Sequence, residues 1–366
     1  MEHRSCAVSG RFIKPGLVCL FLGFAGLFAL GLASVFAPVQ AGPKGGDTSG
    51  ISPGPAAGAA PALAVDLKPA GKHVAVLIGG RPFTTYYFDP AIAKPYLSPL
   101  RSAQGTIVTR GFPMVDDIAG EDHDEPHQRA MFFAHGNING LDFWNEASFR
   151  RWSGHVLDSA FGRTVFRKLD EAQGGPDSGS VRVEFDLVNS KDRAIAQETQ
   201  AFTFRGDESS RTIDCEFTIL ASHSDVKMGD EKDGTFAIRL VKALDSPPGH
   251  MVNSEGATDE AGIWGKRADW VDYYGDVAGE ELGVAVFDCP QNLRHPTTWH
   301  ARGYGLLAAN PFGLKYFTHD KGNDGSYTIP AGSSLVLRYR VLIHHGDYQQ
   351  AGVAEAYRQY AESSRQ

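Results

Sequence analysis

The sequence predicts an all-β protein, built as one large antiparallel β-sandwich with a C-terminal helix. Three observations lead there. Apolar and polar residues alternate with a period of two in many hydrophobic segments, the pattern of strands with one buried face. Turn-forming clusters such as Gly174-Gly175-Pro176-Asp177 and Ser246-Pro247-Pro248-Gly249 separate those segments. Only residues 348–363 show convincing amphipathic helical spacing. Many strands with few helices mean a sandwich or barrel, and at this length a large two-sheet sandwich fits best.

Taken in order, the chain opens on a targeting segment. Arg4, Arg11 and Lys14 precede an apolar run over residues 16–36, and Val39 and Ala41 stand as small residues before a cleavage point. The run is long for a signal sequence and just long enough to span a bilayer, so residues 1–41 are a cleaved signal peptide or an uncleaved anchor. Either way the preceding positive charge keeps the N-terminus inside and sends the domain outside. Cys19 lies within the run in a context unlike a lipidation site. Residues 42–63 hold Gly, Pro, Ala and Ser and cannot bury a core, so they read as a disordered linker. Residues 64–366 form the folded domain.

Within that domain, Val181, Val183, Phe185 and Leu187 alternate with Arg182, Glu184 and Asp186. Ile213, Cys215, Phe217 and Ile219 do the same against Thr212, Asp214, Glu216 and Thr218. Further strands are expected at 74–78, 84–88, 196–204, 235–241, 282–287 and 335–343. Cys215 and Cys289 are the only cysteines of the domain, and export would permit a disulfide between them or leave two buried thiols. No cysteine pair has metal-ligand spacing.

The formal net charge of the chain is −8. Three cations against one carboxylate before residue 42 leave the body more acidic still, which argues against a nucleic-acid partner.

Two segments break the strand pattern. Residues 109–144, TRGFPMVDDIAGEDHDEPHQRAMFFAHGNINGLDFW, crowd histidines, carboxylates, Arg129, Asn137 and Trp144 into loop-like sequence. Residues 295–313, HPTTWHARGYGLLAANPFG, add His300, Trp299, Arg302, Tyr304 and Asn310. Sugars present hydroxyl groups above an apolar face, so a sugar site needs an aromatic platform with planar donors and acceptors. Histidine beside carboxylate also permits proton transfer near neutrality. On this reading His127 or His300 transfers the proton, with Asp142 or a carboxylate within 272–281 as partner. Trp144, Trp299 and Tyr304 form the platform, Arg129 and Arg302 hold hydroxyl or carboxylate groups, and His135, Asn137 and Asn310 line the site.

Each assignment has a structural rival. His127 and Arg129 could brace a loop against Asp122, Asp124 or Glu125, and Phe143 and Trp144 could be core. Asp142 could cap a turn, His300 and Arg302 could be a surface pair, and one of His344 and His345 could be structural. A metal offers a different class of function. His123 and Glu125 with His295 or His300 would make a two-histidine, one-carboxylate iron site, and Asp116, Asp117, Asp122 and Asp124 could hold calcium, although neither spacing is diagnostic. The preferred reading expects no cofactor.

The runs TRGFPM, DH…PHQR…FFAHGNINGLDFW and HPTTWHARGYGLLAANPFG together resemble the DUF6807 family, whose members often carry the label methane oxygenase PmoA. The resemblance spans about residues 74–360. In this chain Asp124-Glu125 separates Asp122-His123 from Pro126-His127, where the family pattern runs the two pairs together, which puts the role of His123 in doubt. The label's literal meaning fails, because no apolar run after Ala41 reaches spanning length. The resemblance implies a galactose-mutarotase-like supersandwich and a setting of exported, glycan-linked proteins; the catalytic motifs of aldose epimerases do not align. The expected function is therefore binding of a carbohydrate or other small polar ligand by an exported protein. It would act as a hydrolase, lyase or epimerase, or alternatively as a non-catalytic glycan-binding protein or a metal-dependent oxygenase.

Overall fold

The computed structural model describes residues 61–152, 155–156 and 160–365. The signal or anchor segment and residues 42–60 of the linker lie outside them. Leu63 already belongs to the folded body, since its amide donates to the Gly206 carbonyl at 2.9 Å.

In chain order the first strands are β1 (Val65–Ala70), β2 (His73–Ile78), β3 (Arg81–Tyr87), β4 (Tyr96–Ser98) and β5 (Met131–His135). Next come β6 (Arg151–Trp152), β7 (His155–Val156), β8 (Arg163–Gln173), β9 (Gly179–Val188) and β10 (Ala194–Gly206). They are followed by β11 (Arg211–Leu220), β12 (Val226–Met228), β13 (Gly234–Arg239), β14 (His250–Asn253) and β15 (Trp270–Val277). The last are β16 (Glu280–Asp288), β17 (Trp299–Arg302), β18 (Leu306–Ala309), β19 (Tyr327–Ile329) and β20 (Ser334–His345). Three α-helices, α1 (Asp259–Ile263), α2 (Leu314–Phe317) and α3 (Val353–Ser363), and two short 3-10 turns at Ala147–Phe149 and Lys242–Leu244 complete the described set.

Two eight-stranded antiparallel sheets dominate the described residues. The first runs β1-β2-β3-β4-β5-β13-β18-β17 and the second β14-β15-β16-β20-β11-β10-β9-β8. They face each other as a sandwich, as the alternation predicted. Phe133 of the first sheet stacks on Phe217 of the second at 4.2 Å, and Phe236 on Tyr339 at 5.0 Å. Burying the inner face of each strand supplies the main driving force, about 1.5–3 kcal/mol for each large apolar side chain removed from water. A second, smaller core lies outside the second sheet. There α3 lays Val353, Tyr357 and Tyr360 on Trp270, Ala285 and Phe287.

Two expectations are corrected here, and one left open is decided. The terminal helix begins at Val353 rather than 348, because the Asp347 carboxylate accepts the Gln349 and Gln350 amides and closes a turn first. Met131–His135, placed in a loop by its sequence, is the central strand β5. Cys215 and Cys289 are both free thiols. Strand β20 runs between them, with Tyr339 paired to Cys215 on one side and Asp288 on the other. Two strand spacings, about 10 Å, exceed the reach of a disulfide.

Candidate functional site

The outer face of the first sheet carries a dense polar cluster. Strand pairing sets His300 (β17), Ala308 (β18), Ala237 (β13) and Phe132 (β5) side by side in one row. The next row holds Arg302, Leu306 and Arg239. Two alanines thus make a floor between a histidine and an aromatic ring, across three strand spacings or about 14 Å. Over this floor lie residues 122–128 and the turn Glu231-Lys232-Asp233.

His127 comes from the first of these segments. Its ring lies 6.2 Å from Trp144, its Nε2 stands 3.5 Å from the Glu125 carboxylate, and its Nδ1 has no hydrogen-bond partner in the protein. His300 stands on β17, with Nδ1 3.9 Å from Asp233 and neither ring nitrogen in a hydrogen bond of good geometry, although the Lys232 backbone lies close enough to oppose the effect of burial. Both side chains are nearly fully buried. Burial, reinforced by Lys94 and Arg110, holds the His127 pKa well below its usual value, and burial pushes that of His300 down to about 4. Both imidazoles are therefore neutral at neutral pH, each with one donor and one acceptor nitrogen. Burial raises the Glu125 carboxyl, and so does neighbouring Asp124. Its backbone sits at φ +40°, a left-handed conformation that costs a non-glycine residue energy and recurs at functional positions.

The surrounding residues hold this geometry. Arg110 clamps the covering segment through the Asp124 and Gln128 carbonyls and the Asp124 carboxylate. Arg239 reaches the same carboxylate at 2.9 Å and the Gln128 side chain at 2.6 Å. Tyr304 lies under two guanidiniums, Arg239 at 4.5 Å and Arg302 at 5.4 Å. Asn310 donates to the Glu231 and Lys232 carbonyls, both at 2.9 Å, and so fixes the turn that presents Asp233. Lys232 pairs with Asp233 at 2.7 Å. On the His300 side, Trp264 meets His300 edge-on at 6.4 Å and Phe317 at 5.3 Å.

Several expected ligand-binding residues serve the scaffold instead. Trp144 and Trp299 are buried core, the latter donating Nε1–H to the Ala268 carbonyl, so neither can be a platform. Arg129 makes two 2.9 Å bonds to Glu146, which also pairs with the fully buried Lys94. Asp142 accepts from the Asn145 amide and side chain, which caps a turn. His135 is completely buried and bonded at 2.7 Å to the Gly229 carbonyl, its ring packed where any side chain at Gly234 would stand. Asn137 accepts the Gly140 amide. Arg302 pairs with Glu260 at 2.8 Å while keeping its contact with Tyr304. His123 stacks on Phe112, and His295 bonds Asp288 at 2.8 Å. Asp272 pairs with His344 on the opposite sheet. Among the described residues no three His, Cys, Asp or Glu side chains converge as a metal would require.

The sequence reading missed Lys232, Asp233, Arg239 and Trp264 as site residues. Arg239 carried a signal, as a charge in the apolar run 236–241; the others are assembled only by the fold.

A family model for a family of unknown function, DUF6807, matches residues 73–358. The chain belongs to the DUF6807 family. Comparison with curated proteins gives no match. Solved structures similar to this DUF6807 chain include a galactose mutarotase-like protein from Clostridium acetobutylicum, at 11% identity and TM-score 0.34, covering 78% of this chain and 99% of that one. Another, from Lactobacillus casei, shows 9% identity and TM-score 0.35 over 76% of this chain and 100% of that one. A GH36 α-galactosidase from Geobacillus stearothermophilus shows 8% identity and TM-score 0.36, over 79% of this chain and 42% of that one. All three scores lie below 0.5, so no role passes from these proteins to this DUF6807 member.

Proposed function

We propose that the alanine-floored site binds a carbohydrate or other small polar ligand and performs acid–base chemistry on it, outside the cytoplasm. One observation carries this reading. Two neutral, nearly buried histidines flank this floor, and His127 Nδ1 and the His300 ring nitrogens lack a well-formed hydrogen bond in the protein, with only the Lys232 backbone close to His300, although an unmet buried polar group costs about 1–3 kcal/mol. Each also has a carboxylate close by, Glu125 for His127 and Asp233 for His300. A neutral imidazole is a competent base, its protonated form a competent acid, and the carboxylate stabilises the charge that develops between the two states. Glu125 and Asp233 thus take the partner role first expected of Asp142.

The test is turnover and binding across a glycan panel, with His127→Ala and His300→Ala made separately. Loss of an acid–base group should lower turnover by about 100-fold or more. Unchanged binding and turnover in both variants would sink the assignment. Wild-type binding with no product would leave a binding protein.

A further inference from the structure

The two histidines of the site are closed off from solvent. His127 is 4% exposed and His300 2%, so a ligand reaches them only if something above the floor moves. The turn Glu231-Lys232-Asp233 is fixed by Asn310 and leads straight into β13. Residues 115–125 are held differently. They are rooted at one end by Met114, which packs on the core, and at the other by buried Pro126, His127 and Gln128. Among the described residues their backbone bonds only to near neighbours: the Val115 amide to the Gly111 carbonyl, Glu121 to Ile118, and Gln128 to Glu125. Residues 115–120 are exposed. Their ties to the first sheet and its loops are side chains. Arg110 donates to the Asp124 and Glu125 carbonyls at 2.8 and 2.9 Å and to the Asp124 carboxylate at 2.6 Å. Arg239 of β13 reaches the same carboxylate at 2.9 Å, and Lys242 takes Asp122 at 2.8 Å.

Resting on the proposed acid–base reading, we propose that residues 115–125 are a lid over the two histidines and that the Asp124 carboxylate, gripped by Arg110 and Arg239, is the latch that shuts it. Both arginines belong to the body beneath, since the Arg110 amide donates to the Arg239 carbonyl at 3.0 Å and both side chains are buried. Asp124 belongs to the lid, and its side chain is 42% exposed. Charge-assisted bonds to the guanidiniums make the latch strong, while its open side lets salt compete for it. Closure brings like charges together as well. Glu125 is raised by burial, by Asp124 and by Asp233 of the facing turn, so the shut seam crowds carboxylates. Glu125 also sits at φ +40° beside Pro126, a strained step that marks the hinge. Opening there admits a ligand between Glu125 and Asp233, the carboxylates that partner the two histidines.

The experiment is diethyl pyrocarbonate modification of the full chain, followed histidine by histidine with mass spectrometry. Wild type and Asp124→Asn are compared at low salt and at about 1 M salt, where the screening length falls to about 3 Å. The reagent acylates neutral imidazoles, so each histidine reports its own access to solvent. His300 lies on β17, outside the lid, and His135 of β5 is fully buried and serves as the control. The expected result is slow modification of His300 in wild type at low salt, severalfold faster modification in Asp124→Asn and in high salt, and His135 protected throughout. An unchanged His300 rate in both comparisons, or a His135 rate that rises in step with it in both, would overturn the lid. Should Asp124→Asn loosen the whole fold, the salt series on wild type decides alone. No ligand enters this test. Turnover on the glycan panel with His300 unmoved would therefore overturn the lid and leave the acid–base reading standing. Accelerated His300 labelling without turnover would support the lid and count against that reading.

Discussion

At the scale of single residues, the same chemistry serves function in one place and stability in another. His344 and Asp272 form a buried pair at 3.2 Å on the outer face of the second sheet, whereas the His127 and His300 floor belongs to the first. Burial alone would lower the His344 pKa, but the Asp272 carboxylate outweighs it and holds the ring above its ordinary value. The ring fits because Gly283 lies directly opposite, where a Cβ would stand 2.5 Å from His344 Cε1. Gly283→Ala should therefore displace the imidazole and leave the Asp272 carboxylate buried without its cation, a loss of about 3 kcal/mol. The sign with pH follows from the raised value. The pair's stabilisation is complete below the unfolded histidine pKa and fades as pH rises through the folded one. The penalty measured by urea unfolding should therefore shrink between pH 6 and pH 9. An equal penalty at both would mean that the glycine matters for packing alone.

At the scale of elements, legibility depended on how many faces of a strand meet solvent. Strands β9 and β11 have one buried and one polar face, so Val181–Leu187 and Ile213–Ile219 announce themselves by alternation. Strand β5 is buried throughout, and Met-Phe-Phe-Ala-His has no polar phase to reveal it. That is why a central strand read as loop. The site was legible to the same partial extent. His127 and His300 stand out as histidines in unusual sequence, but Lys232 and Asp233 reach them only because β13 inserts between β5 and β18. Helix α3 was visible, since Val353, Tyr357 and Tyr360 recur at helical spacing. Its docking is specific: the Tyr357 ring meets Phe287 edge-on at 5.7 Å, and its hydroxyl stands 3.5 Å from His295. Tyr357→Ala should lower stability by about 3–5 kcal/mol, in the range for losing a large aromatic from a core. It should also expose Trp270 beneath the helix to a fluorescence quencher. An unmoved thermal midpoint would mean that α3 is not part of the cooperative unit.

At the scale of the whole molecule, one polar chain crosses the apolar interior between the sheets. Tyr86 of β3 donates to the Gln200 side chain at 2.8 Å, and Gln200 donates to the Glu198 carboxylate at 2.6 Å, both from β10. Glu198 is 2% exposed, and burial pushes its pKa up to about 7. The hydrogen bond from Gln200 opposes that rise but does not cancel it. The folded protein therefore keeps a proton that the unfolded chain releases near pH 4.5. Stability from this group is complete below pH 4.5 and is lost as pH climbs to and past 7, by about 3 kcal/mol in total. Glu198→Gln removes the titration and retains an acceptor for Gln200. The measurement is the stability difference between wild type and Glu198→Gln from urea unfolding at pH 5 and pH 8.5. The variant should gain about 2–3 kcal/mol relative to wild type across that interval. A constant difference would show that Glu198 keeps an ordinary pKa inside the sandwich, which would require water or a cation to reach the space between the sheets.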